Sequence, residues 1–205
     1  MNEKIKQEAR NVDWQNNDAV IEFYERNQLY FNNFVTITDD DTLINIIQIK
    51  ANYINALIAK MRFSKAKNTL ATRNVLLQKI AHHPTLFAQY TEKYTFYAGI
   101  VNGNLKNYKE ALKIFKQLTR IDPENDIYQD WLSQMKLKLQ SKRLSIIGYL
   151  GLAIIFTDIY FGLVYKHPMR CEIVAFAFLL ALIPWVLPRI LQLINHLLKK
   201  RHRSI

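Results

Sequence analysis

One apolar run after Arg143 constrains this chain more than any other feature. Leu144 to Tyr165 reads LSIIGYLGLAIIFTDIYFGLVY, 22 residues with a single charge, Asp158. As an α-helix it would be about 33 Å long, enough to cross the hydrocarbon core of a bilayer. The five residues Lys166-His167-Pro168-Met169-Arg170 follow, and a second apolar stretch runs from Cys171 to Pro188, broken only by Glu172, and resumes after Arg189. The first run is too long and too uniformly apolar for a helix in a soluble core. The short connection makes the second its antiparallel partner. The expectation is a transmembrane helical hairpin over 144–198, with spans at 144–165 and 171–194, followed by a basic tail at 199–205.

Orientation follows from the flanking charge. Lys136, Lys138, Lys142 and Arg143 precede the first span, and Lys199, Lys200, Arg201 and Arg203 follow the second. The connection holds only Lys166 and Arg170. By the positive-inside tendency both termini face the cytosol. The charged start MNEKIKQEARNVDW has no apolar h-region, so no signal peptide is expected. The four basic residues of the tail are candidates for lipid headgroup contact. Net charge is +11, from 28 Lys and Arg against 17 Asp and Glu. Residues 1–143 carry 21 basic and 15 acidic side chains without a stripe, so a nucleic-acid site is not expected. A lone cysteine, Cys171, excludes a disulfide scaffold and a multi-cysteine zinc site, and with five Gly there is no glycine-rich phosphate loop.

Residues 1–143 read as a cytosolic all-α domain. Helices are expected near 16–36, 42–62, 64–82, 84–104, 106–121 and 124–143. Asp39-Asp40-Asp41-Thr42 supplies an N-cap before the Leu43 run, Pro84 and Pro123 suit first helical turns, and Asp122 is a candidate cap. Short connections imply sequential helical hairpins. The last helix carries Ile127, Trp131, Met135 and Leu139 on one face and is expected to cap the stack and run on into the membrane.

Within 92–125, Gly99, Tyr108, Ala111, Phe115, Leu118 and Pro123 fall at spacings that resemble one tetratricopeptide (TPR) unit. Thr95 and Asn102 depart from that pattern. Phe63, Ala66 and Leu70 repeat the spacing of Tyr108, Ala111 and Phe115, but 45 residues upstream (66 to 111), longer than the usual repeat. The resemblance implies a TPR-like stack in which small residues let helices approach and the first helix of each hairpin lines a concave groove.

That implication gives meaning to a polar stripe. Asn45, Gln48, Asn52 and Asn55 recur at i, i+3, i+7 and i+10 on an otherwise apolar helix. They form either a solvated edge or a groove that hydrogen-bonds a peptide backbone. Phe87, Tyr90, Tyr94 and Tyr97 form an aromatic stripe that reads as core or as peptide anchors. The candidate partner contacts are Asn45, Gln48, Asn52, Asn55, Tyr94 and Asn102. In the spans, Gly148, Gly151, Asp158 and Gly162 on the first helix and Ala177 and Ala181 on the second are candidate helix contacts, the alanines near the depth of Asp158. Asp158 itself reads as a hydrogen-bonded or protonated residue between helices, or as part of an oligomer contact or polar pathway.

Neighbouring His82 and His83 would point about 100° apart on a helix, so a solvated turn before Pro84 is expected there. No enzyme motif, cofactor or metal site emerges. The sequence points to a membrane-anchored adaptor with a protein or peptide partner, membrane lipids and a possible homo-oligomer through the hairpin. The rival is a small two-span effector or channel subunit controlled by its helical domain.

Overall fold

A computed structural model describes residues 3–165 and, beyond them, 176–179, 181–184, 186–187 and 190. All regular structure among these residues is helical: α1 (Glu3–Arg10), α2 (Asn17–Arg26), α3 (Gln28–Asn32), a 3-10 turn (Phe34–Thr36), α4 (Asp40–Ala59), α5 (Phe63–Leu70), α6 (Arg73–Gln78), α7 (Pro84–Asn104), α8 (Tyr108–Ile121) and α9 (Asp126–Tyr165). The chain divides into two units, residues 1–135 and 136–205, with the boundary inside α9.

In the first unit α4 is central because it is apolar on most sides. Ile46, Ile47, Ile54 and Leu57 are fully buried, and α4 meets α2, α5 and α7. Each such side chain contributes about 1.5–3 kcal/mol on burial. The Asp39 carboxylate accepts from Thr42 N at 2.9 Å, so the helix begins where the acidic cluster predicts a cap. Pro84 opens α7 at its first turn.

Two helical hairpins, α4–α5 and α7–α8, share one turn geometry. Met61 and Lys106 both adopt positive φ, at 57° and 64°. Arg62 N donates to Leu57 O and Met61 N to Ile58 O; Asn107 N donates to Asn102 O and Lys106 N to Gly103 O. Every one of these positions is offset by the same 45 residues (61 to 106) as the Ala66–Ala111 spacing. This is a Schellman closure that satisfies the last carbonyls of each first helix. Ala66 and Leu70 in α5 are buried, as are Ala111 and Phe115 in α8.

Several expected boundaries move, each for a local reason. The helix expected over 16–36 breaks at Asn27, whose Nδ2 donates to Phe23 O at 3.1 Å and to Glu8 Oε2 at 2.9 Å, competing with the helical ladder. The one expected over 64–82 splits into α5 and α6 around Ala71 and Thr72, with Thr72 Oγ1 bonded to Thr69 O at 3.2 Å. Pro123 lies in a turn and does not open the next helix. Asn125 caps α9 instead, its Oδ1 accepting from Ile127 N at 3.1 Å. Helix α1 was not expected from sequence, because its eight residues bury only Ile5.

The last helix is continuous from Asp126 to Tyr165. Its apolar stretch has a mean hydropathy of 1.8 and is only 11% buried, so it is not a core helix of the described fold. Ile146, Tyr149, Leu150, Phe156 and Tyr160 are all exposed. Among the described residues it is the one helix long and apolar enough to cross a membrane. The second expected span lies partly outside the described residues; 176–179 and 181–184 are helical.

Candidate functional site

The polar stripe of α4 becomes the floor of a groove. Asn45, Gln48, Ile49 and Asn52 face Lys6, Ala9 and Arg10 of α1, with Trp14 beyond them, around a cavity of about 690 Å³. Helix α1 supplies residues i, i+3 and i+4 to this wall because they share a face. Trp14 is held edge-on to the Phe23 ring at 5.8 Å and remains partly exposed. Lys6 forms an ion pair with Glu3 at 2.8 Å, which raises its pKa and keeps it cationic. No lining side chain is acidic. The groove therefore offers three neutral amides, which both donate and accept, beside two cations.

The six candidate partner contacts do not form one surface. Asn45, Gln48 and Asn52 line the groove, and Asn55 is exposed on the same helix but outside the lining. Tyr94 lies inside the core, 1% exposed, where its hydroxyl donates to Ile47 O at 2.8 Å. It cannot touch a partner, because the face bearing Tyr90, Tyr94 and Tyr97 is buried. Burial pushes the Tyr94 hydroxyl pKa well up. Asn102 closes the α7–α8 turn, donating from Nδ2 to Ala98 O at 2.9 Å and accepting from Asn107 Nδ2 at 3.4 Å. Sequence periodicity could have found the stripe but not the opposing wall, which comes from a helix 35 or more residues away with one buried residue.

Of the residues expected to pack the hairpin, Gly99, Ala111, Phe115 and Leu118 are buried, Tyr108 is half-buried and Pro123 is exposed in its turn. Phe115 stacks on Trp131 at 5.5 Å and Met135 is buried, so these two residues of α9 cover the hairpin, whereas Ile127, expected on the same face, is exposed.

A second cavity of about 430 Å³ lies among Tyr24, Gln28, Asn32, Tyr53, Lys65, Asn68, Thr69 and Thr72. Tyr24 and Tyr53 stack at 3.8 Å. Asn32 Oδ1 accepts from Tyr24 and from Lys50 Nζ, both at 3.3 Å. Lys50 is 1% exposed and lies 4.6 Å over the Phe34 ring; burial lowers its pKa to about 8. Glu25 accepts from Lys65 at 2.7 Å and from the Tyr53 hydroxyl at 3.3 Å, and the Lys65 ammonium holds it below the usual carboxylate range. Burial raises the Tyr24 and Tyr53 hydroxyls.

The expected solvated turn at 82–83 is also more organised than the sequence indicates. Both histidines turn onto Asp40, His82 Nε2 at 2.8 Å and His83 Nε2 at 3.0 Å from Oδ2. These three are the candidate metal ligands among the described residues.

In the second unit Gly148 and Gly151 are buried, and a Cβ on Gly148 would overlap the Pro184 ring. Ala181 O lies 3.6 Å from that same point. Ala181 therefore sits at the level of Gly148, about 15 Å along α9 from Asp158 and not at its depth. Ala177 is fully buried. Asp158 Oδ2 is buried without a hydrogen-bond partner among the described residues. Gly162 lies within α9, while Lys199, Lys200, Arg201 and Arg203 lie outside the described residues. No protein-family model matches the chain, and no curated protein or solved structure shows significant similarity to it.

Proposed function

We propose that the chain is a membrane-anchored adaptor whose α1–α4 groove holds an extended acidic segment of a partner protein. The groove carries this reading. Its amides match the alternating donors and acceptors of a peptide backbone, and Arg10 selects carboxylates along it, beside the Lys6–Glu3 ion pair. A cytosolic TPR-like stack is supported by the 45-residue repeat of turn and small-residue positions in α4–α5 and α7–α8. The long exposed apolar helix supports anchoring, with the hairpin of 144–165 and 171–194 and both termini cytosolic on the strength of the basic flanks. Anchoring raises effective concentration, so the groove itself need bind only weakly.

The test is a mild-detergent pull-down with the full chain, its Gln48→Ala/Asn52→Ala variant and Arg10→Glu. A photo-crosslinker at Gln48 would mark the bound segment. Capture of one protein by the wild type, through an acidic segment, with loss from both variants is the expected result. Equal capture by all three chains sinks the adaptor reading.

A second reading rests on Asp158. An unpaired buried carboxylate oxygen in an apolar helix is costly unless another helix or a water path meets it. In a small membrane effector, Asp158→Asn would change assembly or conductance. In the adaptor it leaves partner capture intact.

A further inference from the structure

Three side chains distant in sequence converge where α4 and α7 begin. Asp40 opens α4, and His82 and His83 immediately precede α7. Their ligand atoms all lie within 4.8 Å of one another. Adjacent histidines diverge on a helix. These two converge because they stand in the turn after α6, with His83 at φ −104° and ψ 82° and the two rings 4.3 Å apart.

We propose that Asp40, His82 and His83 form a binding site for a borderline divalent transition-metal ion, with zinc as its representative. Two imidazole nitrogens and one carboxylate oxygen are the donors such ions take, whereas calcium and magnesium require oxygen-rich sites. Bonds of about 2.0–2.1 Å in a tetrahedral arrangement set ligand atoms about 3.3 Å apart. The Nε2–Oδ2 separations of 2.8 and 3.0 Å open by a few tenths of an ångström to admit the ion, and the two imidazole nitrogens, within 4.8 Å of each other, rotate to the same spacing. The side chains are 55%, 40% and 41% exposed for His82, His83 and Asp40, so they can rotate and the ion can enter from water. Three protein ligands leave a position for water or an incoming donor. The ligands are 42 and 43 residues apart, so the ion would clamp the start of α4, the floor of the groove, to the start of α7.

The full chain in mild detergent is titrated with zinc against a chromophoric chelator, and cobalt is used to read the ligand field. Three further histidines, His167, His196 and His202, make a control at those positions necessary. The wild type and a His167→Gln/His196→Gln/His202→Gln variant should each bind one ion. Asp40→Asn and His82→Gln/His83→Gln should bind at least roughly tenfold to hundredfold more weakly, the loss known even for outer-sphere partners. Binding that survives in these variants, or disappears with His167, His196 and His202, overturns the proposal. Hydrogen exchange of the wild type provides a readout independent of variant folding. Zinc should slow exchange at residues 41–44 and 83–87 together, and no slowing there also overturns it.

Discussion

The Phe115 ring lies against the bare Cα of Gly99. A Cβ at that position would stand 2.7 Å from Phe115 Cζ and 3.1 Å from Ile114 Cγ2. The ring cannot retreat freely, since Trp131 stacks on it at 5.5 Å and Phe96 meets it edge-on at 6.1 Å. Gly99→Ala should therefore destabilise the first unit by about 1–3 kcal/mol, despite the better helix propensity of alanine. Adding Phe115→Leu should recover part of the loss. Denaturant unfolding of the full chain in detergent checks both, and a Gly99→Ala chain at least as stable as wild type refutes this account of the close approach.

Met61 and Lys106 occupy left-handed positions that glycine adopts without strain. Both side chains are exposed, so replacement removes little contact. Met61→Gly and Lys106→Gly should each stabilise the chain by about 0.5–1 kcal/mol, the relief of left-handed strain less the added freedom of the unfolded glycine. If the turns are truly equivalent, the two gains should be similar and additive in thermal unfolding.

Lys50 gives a pH signature. Its folded pKa of about 8 lies below the ordinary 10.5, so between these values the unfolded chain binds more protons. Stability should rise with pH across that window as the buried ammonium is neutralised. Lys50→Met should be more stable than wild type near neutral pH by about 1–2 kcal/mol. Its advantage should shrink from about pH 7.5 to about pH 9.5, below the titration of the tyrosines. A pH-independent difference would falsify the assignment of the cost to charge burial.

Glu25 acts in the opposite window. Its folded pKa is lowered, first by the Lys65 hydrogen bond, so its contribution is present above the ordinary 4.5 and is lost as pH falls through the folded value. Glu25→Gln should cost about 0.5–1 kcal/mol at neutral pH. Unfolding curves of the two chains should converge in acid, and a gap that persists there contradicts the ion-pair assignment.

Much of the chain's local organisation was legible in its sequence because neighbouring residues encode it. The apolar run after Arg143, the cap at Asp39, Pro84 at a helix start and the small positions Gly99 and Ala111 all act through periodicity or backbone preference. The amide stripe on α4 was legible for the same reason, since residues at i, i+3 and i+7 must share a helix face. Its meaning was not. Helix α1 has too few apolar residues to announce itself, yet its docking turns an edge into a groove. Tyr94 has the periodicity of either an anchor or a core residue, and only α4 lying across it puts its hydroxyl on Ile47 O. The meeting of Asp40 with His82 and His83, 42 and 43 residues further on, depends on where α4 and α7 begin in space. Local sequence determined most of the helices, while their stacking decided which polar side chains were enclosed, exposed or brought together, because those long-range contacts depend on the joint burial of several apolar faces.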